Sequence, residues 1–235
     1  MNSKKQRQAY TIYLYLGALF ITSLVVCNLI FQKFFAFKPF PITIFGEELF
    51  ELSVGLLPYP ITFLITDIVS EIYGKQKANN LVKAGLFASV FSLLIVFISQ
   101  SVNAVSWSPV NNETFNKVFG NATIAVFASM LAYLFAQFID VHLYHFWKKL
   151  TKGKHLWLRN NFSTFSSQLI DTLVILLLLC NADIIAWERF WGLLISGFLF
   201  KIMVAILDTP LLYISTYLFR KYFGLEFGEE LTLDN

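Results

Sequence analysis

Charged residues are scarce in this sequence: only 14% of its 235 residues are Asp, Glu, Lys or Arg. A soluble globular protein contains about 25%. Hydrophobic residues make up 57%, in runs of about twenty that lack the regular polar positions of an amphipathic helix. This composition excludes a soluble enzyme module and predicts one integral-membrane domain over residues 1–235.

Cysteine and histidine are scarce as well. Cys27 and Cys180 both lie in apolar segments, which indicates packing in the core and not a disulfide or a metal site. The three histidines, His142, His145 and His155, lack the spacing of a zinc motif. A net charge of +3 is too small to indicate nucleic-acid binding. We therefore expect no metal, no cofactor and no nucleic-acid partner.

Six long apolar segments predict a bundle of six transmembrane helices. About twenty helical residues cross a hydrocarbon core of about 30 Å, and lipid offers no partner to unpaired backbone amides. The predicted fold class is therefore an all-α membrane protein. The predicted spans are 11–32, 52–73, 81–101, 122–143, 162–181 and 190–219.

The distribution of Lys and Arg predicts the orientation of these spans. Thirteen lie in the N-terminal segment, in the 74–83 and 144–161 loops and in the C-terminal tail, whereas four lie on the other side. Cytoplasmic loops carry the excess of positive charge. We expect a multi-pass protein of the cell inner membrane with both termini in the cytoplasm.

The second span is irregular. It contains Pro58 and Pro60 after Gly55, and only thirteen residues separate Pro60 from Gly74, too few for a full crossing. The segment 47–60 could dip into the membrane or form a half-helix, as interrupted helices of transporters do at substrate sites. Alternatively, the prolines simply lie near a helix start, where proline is tolerated. Both interpretations remain open from the sequence.

Five ionisable residues lie within apolar segments: Asp67, Asp140, Asp171, Lys201 and Asp208. A charge inside the bilayer is costly, so these side chains are expected to face the bundle interior and to serve function. Asp171 and Lys201 lie near the middle of their spans. For Asp171, the alternative is a structural ion pair with Lys201.

Two consecutive spans carry the same short pattern, Gln137 to Asp140 and Gln168 to Asp171. Residues three apart share a helix face, so each glutamine lies beside its aspartate. A carboxylate next to an amide offers acceptors and donors together, which suits the edge of a planar heterocycle with adjacent N–H groups. The pattern therefore predicts a small-molecule site where the two helices face each other.

Three other residues are considered with this site. Asn28 is polar within the first span, and Tyr59 is the aromatic residue best placed to stack on a ligand ring. Glu71 lies at the end of the second span, where it either faces inward or points to the loop. The predicted substrate-binding residues are Asn28, Tyr59, Asp67, Gln137, Asp140, Gln168, Asp171 and Lys201.

Several segments resemble one family. The stretches from Tyr59 to Gly74 and from Trp157 to Thr172 resemble the two strongest signatures of the queuosine precursor transporters, also called the vitamin uptake transporter family. Asn28 to Lys33, Gln137 to Asp140 and Lys201 to Pro210 fit the same pattern, in the same order along nearly the whole chain.

This resemblance implies import of a 7-deazaguanine base for salvage into tRNA modification, by a fold similar to the six-helix substrate-binding subunits of vitamin importers. The expected partners are the small-molecule substrate and the lipid bilayer, with no evident energising subunit. The alternatives are a carrier for another vitamin or nucleobase, an intramembrane enzyme, and a structural scaffold. Enzyme activity is not expected, because the chain lacks Gly-x-Gly-Asp and Gly-x-Ser-x-Gly motifs.

Overall fold

The computed structural model describes residues 3–31, 33–36, 43–44, 47–48, 51–119, 123–152, 154–183 and 185–231. These residues are mostly helical. The helices are α1 (Ser3–Ile30), α2 (Tyr59–Ile72), α3 (Gly74–Ser101), α4 (Asn112–Phe119), α5 (Thr123–Leu150), α6 (Leu156–Asn181) and α7 (Phe190–Phe223). The strands are β1 (Phe34–Ala36), β2 (Thr43–Ile44), β3 (Glu47–Glu48) and β4 (Glu51–Ser53).

Most of the helices are long enough to cross a membrane. The shortest of the five long ones, α6, has 26 residues and extends about 39 Å at about 1.5 Å per residue. In the described part of the chain, five apolar helical stretches qualify as candidate spans by length and composition: α1, Val54–Ile72, α3, α6 and Trp187–Phe223. The prediction of an all-α membrane protein is confirmed.

Several helices continue beyond the predicted spans. α3 begins at Gly74 and not at residue 81, and α5 ends at Leu150 and not at 143. The added turns carry lysines, which project from a helix end into the polar layer of the membrane. A hydropathy pattern marks only the apolar part of each helix, whereas the helical hydrogen bonds continue beyond it.

The segment before α2 does not form the helix that was predicted from residue 52. β4 pairs with β1 in antiparallel register, with Phe34 opposite Ser53, and a 3₁₀ turn at Val54–Leu56 follows. In the described part of 47–60 the half-helix interpretation is therefore wrong, and both prolines lie at a helix start. That this segment dips into the membrane stays a prediction. Pro58 caps α2 and Pro60 lies in its first turn, where their missing N–H groups cost no hydrogen bond.

Gly55 fixes this 3₁₀ turn against the end of α1. A Cβ atom at position 55 would lie 2.7 Å from the carbonyl oxygen of Cys27 and 2.8 Å from the Cβ of Phe31. Val54 N–H also donates to the carbonyl of Lys33 at 2.7 Å. The start of α2 is therefore held by direct backbone contact with α1.

α2 lies in the centre of the bundle and contacts α1, α3, α5 and α7. Every residue from Thr62 to Ile72 except Leu64 is buried. By contrast, α3 exposes a row of large apolar side chains that includes Phe87, Phe91 and Phe97. The carboxylates of Asp67 and Glu71 are therefore internal, because they belong to the helix that the others surround.

Candidate functional site

An ion pair lies at the centre of the polar interior. Lys201 Nζ on α7 lies 2.5 Å from Asp171 Oδ2 on α6, and it also donates to Thr172 Oγ1 at 3.0 Å. Both charged side chains are less than 10% exposed. The geometry therefore agrees with the ion-pair alternative for Asp171, and it joins the middle of α6 to the middle of α7.

Three aromatic rings stand beside this pair. Lys201 Nζ lies 4.9 Å from the centroid of the Tyr59 ring, within the range of a cation–π contact. The centroids of Tyr59 and Phe63 are 5.3 Å apart, and those of Tyr59 and Tyr133 are also 5.3 Å apart. Of these three aromatic residues, the sequence analysis predicts only Tyr59 as a substrate-binding residue. Tyr133 could have been found, because it lies four residues before Gln137 on the same helix face.

The two predicted glutamines each leave a buried carbonyl oxygen without a donor. Gln137 Nε2 on α5 donates to the Tyr133 hydroxyl at 2.5 Å. Among the residues that the structure describes, neither Gln137 Oε1 nor Gln168 Oε1 receives a hydrogen bond. A buried acceptor without a donor is costly, and both of these oxygens can still accept a hydrogen bond.

The two Gln–Asp patterns lie on adjoining walls, as the sequence predicted. Asp140 Oδ1 on α5 accepts from Ser167 Oγ on α6 at 2.9 Å, and Ser167 directly precedes Gln168. The same carboxyl group faces Ser163 and Asp67. The Ser167 hydroxyl therefore links α6 to the Asp140 carboxylate on α5.

A small cavity lies among these groups. Its volume is about 20 Å³, enough for about one water molecule and far below the roughly 300–1,000 Å³ of a ligand pocket. The cavity is therefore too small to hold a ligand. The residues that line it include Tyr59, Phe63, Thr164, Gln168, Lys201 and Asp208.

Asn28 lies at the edge of this region. It is buried on α1, and the thiol of its neighbour Cys27 lies close enough to Asp171 for the two to interact electrostatically. Of the eight predicted residues, seven are buried and Tyr59 is partly buried. Asp208 was not among the eight, although it lines the cavity. Which of these residues bind substrate stays a prediction.

Glu71 belongs to a different cluster at the end of α2. Its side chain is 1% exposed, and Oε1 lies 2.6 Å from Arg220 Nη2 on α7. Oε2 accepts from the Tyr144 hydroxyl at 3.1 Å and lies 3.8 Å from Lys148 Nζ, both on α5. The loop-facing alternative for Glu71 is therefore wrong. This carboxylate ties three helices together at one end of the bundle.

A helical membrane protein with charged and amide side chains beside a small cavity between its helices has the architecture of a small-molecule transporter. The family described as "Putative vitamin uptake transporter" matches residues 53–215. The chain belongs to this family. The matched range includes seven of the eight predicted site residues and leaves out Asn28.

A curated relative extends this finding. A protein of Bacillus subtilis (strain 168) named "Probable queuosine precursor transporter" is 30% identical over 173 residues. The alignment covers 71% of this chain and 73% of the relative. No solved structure matches the chain. The resemblance that the sequence motifs indicated is confirmed at the level of the family.

Proposed function

We propose that this protein imports a 7-deazaguanine precursor of queuosine across the cell inner membrane for salvage into tRNA modification. The relative's name supports this substrate. The observation that carries the proposal is the pair of buried acceptors, Gln137 Oε1 and Gln168 Oε1, beside the Asp171–Lys201 pair. A site with this arrangement binds a ligand that brings N–H donors of its own.

The chemistry of a 7-deazaguanine base complements the site. The base has a ring N–H beside an amino group, a carbonyl oxygen, and a flat ring. The glutamine oxygens and Asp171 accept from the N–H groups, and Lys201 donates to the carbonyl. Tyr59 and Tyr133 supply faces on which the ring stacks. The proposed binding residues are Asn28, Tyr59, Asp67, Gln137, Asp140, Gln168, Asp171 and Lys201.

Binding requires the site to open. The cavity of about 20 Å³ is bounded by α2, α6 and α7, and a bicyclic base needs several times that volume. In the proposed cycle, separation of α7 from α2 and α6 admits the substrate. Closure around it then excludes water, as expected for alternating access around a central site.

Gln168→Met tests the proposed site without breaking the ion pair. The substitution keeps the length of the side chain and removes the carbonyl acceptor that has no donor in the structure. Loss of one hydrogen bond to a ligand costs about 1–3 kcal/mol, a roughly 5- to 150-fold loss of affinity. The measurement is queuosine in tRNA of a strain that cannot make the precursor and is supplied with a deazaguanine base.

The matched control is Gln76→Met, an exposed glutamine at the start of α3. It should restore queuosine as the unaltered protein does, and both variants should be present in the membrane in equal amounts. If the Gln168→Met variant restored queuosine fully at a low external concentration of the deazaguanine base, Gln168 would not be a substrate-binding residue. A failure of the unaltered protein to take up labelled base, with uptake of an unrelated vitamin instead, would overturn the proposed substrate.

A further inference from the structure

A second, larger cavity lies at the end of the bundle where α3 begins and α5 ends. Its volume is about 710 Å³, within the range of ligand pockets. It has no part in the central site described above. Its lining comes from three parts of the chain: Lys75 on α3, five residues of α5 with Lys152 after it, and the segment from Phe227 to Glu230.

The cavity is strongly basic. Lys75, Lys148, Lys149 and Lys152 line it, together with two histidines and, among the residues that the structure describes, a single carboxylate, that of Glu230. Lysines at a helix C-terminus are common, because they complement the helix dipole. That reason does not account for Lys75, which lies at the start of another helix and faces the same cavity. The positive charge therefore converges on one open cavity.

The lining is also amphipathic. Phe146 and Phe227 line the cavity with their side chains more than half exposed, at 57% and 65%. Lys148 Nζ lies 2.8 Å from Glu230 Oε1, so an anionic group of the protein already binds one of the lysines. A ligand that displaced it would need a negative charge next to an apolar part.

We propose that this cavity binds the headgroup of an anionic phospholipid, with its phosphate among Lys75, Lys149 and Lys152. Basic pockets between helices at the membrane surface suit such headgroups, and anionic lipid gains about 1 kcal/mol for each nearby lysine. The ends of α3 and α5 place the cavity beside the lipid headgroups. The exposed rings of Phe146 and Phe227 meet the acyl chains at its rim.

The test measures binding of phosphatidylglycerol to the purified full-length protein in detergent, with phosphatidylcholine as the uncharged reference. Lys149→Gln with Lys152→Gln should weaken phosphatidylglycerol binding about 25-fold, about fivefold for each lysine. Glu230→Gln should tighten it several-fold, because the competing carboxylate is gone. If the double variant does not fold, phosphatidylglycerol binding is measured with Lys75→Gln instead. This lysine lies on α3, and its loss should weaken binding about fivefold.

The control removes the same charge elsewhere. Lys83 and Lys154 are exposed and do not line the cavity, so Lys83→Gln with Lys154→Gln should bind phosphatidylglycerol as the unaltered protein does. Equal loss in both double variants would mean general surface attraction and overturn the proposal. The absence of any preference over phosphatidylcholine would overturn it too. Equally tight binding of inorganic phosphate would make the cavity a site for free phosphate and overturn the lipid assignment.

Discussion

The ion pair of Asp171 and Lys201 places opposite charges on two helices in the interior of a membrane protein. Each charge is costly inside the bilayer, and the pairing offsets this cost only while both partners are present. Thr172 Oγ1 accepts a second hydrogen bond from Lys201, at 3.0 Å. These residues therefore depend on each other for stability, even where they also bind substrate.

Lys201→Met should destabilise the protein strongly. The substitution leaves the Asp171 carboxylate buried without its counter-ion, which costs about 3–5 kcal/mol. Asp171→Asn with Lys201→Met removes both charges and should recover a large part of that loss. Denaturant unfolding of the purified protein in detergent measures both variants. A double variant as unstable as Lys201→Met would show that the ion pair does not hold α6 and α7 together.

Substitution at Asp171 alone therefore has two effects. Asp171→Asn removes a proposed ligand acceptor and also leaves the Lys201 ammonium without its counter-ion. Loss of uptake in that variant is informative only when the amount of folded protein is measured alongside. Gln168 separates the two effects, because its side-chain oxygen Oε1 receives no hydrogen bond within the described structure.

At the scale of the elements, α2 is short because of what precedes it. The strand pair of β1 and β4 and the 3₁₀ turn take up the residues that would complete a full-length helix. Gly55 allows this arrangement, since the backbone of α1 lies within contact of the position where a Cβ would be. The central helix α2 therefore begins partway along the bundle, beside Tyr59 and Phe63, which line the small cavity of the central site.

Gly55→Ala should destabilise this arrangement. Its Cβ would meet the Cys27 carbonyl oxygen at 2.7 Å, and neither backbone can move without disturbing the start of α2. Overpacking of this kind costs about 1–3 kcal/mol. Gly197→Ala is the matched control, because its Cβ would meet only the Thr172 methyl group at 3.4 Å. The two variants can be compared by thermal unfolding; equal midpoints would contradict the close approach.

The sequence predicts the helices well because twenty-residue apolar runs are a strong and local signal. It also predicts a polar interior, since buried Asp67, Asp140 and Asp171 have no other favourable environment. The strand pairing before α2 is not predictable in this way. Its register depends on contacts between segments far apart along the chain, and three-residue strands carry little periodicity.

In the candidate site, too, the sequence predicts which residues share a helix face but not which partners they contact. The spacing of Gln137 and Gln168 indicates their shared faces, but the partner of each group depends on helix rotation, which the sequence does not specify. Glu71 illustrates the limit. Its position at a span boundary fits a loop-facing side chain, whereas Arg220 and Tyr144, 149 and 73 residues away along the chain, bring it inside.

For the whole molecule, the six apolar segments predict six crossings, and the charge bias predicts that both termini lie in the cytoplasm. A cytoplasm-dependent reporter fused after Asn235 should be active, and the same reporter inserted near Asn112 should be inactive. Thirteen Lys and Arg against four on the opposite side give the physical reason. The reverse pattern of activity would refute the orientation, and activity at both positions would refute the count of crossings.

The Glu71 cluster has a consequence for how the chain is made. Glu71 enters the membrane with the second helix, whereas Arg220 is synthesised 149 residues later. Leu231 N–H, later still, donates to the carbonyl of Ile72 at 2.6 Å. During translation α2 therefore lies in the bilayer before the Arg220 side chain and the Leu231 N–H group are available to it. Both contacts therefore form late, and a chain that ended before Arg220 would keep Lys148, at 3.8 Å, but not Arg220 as a charged partner of Glu71.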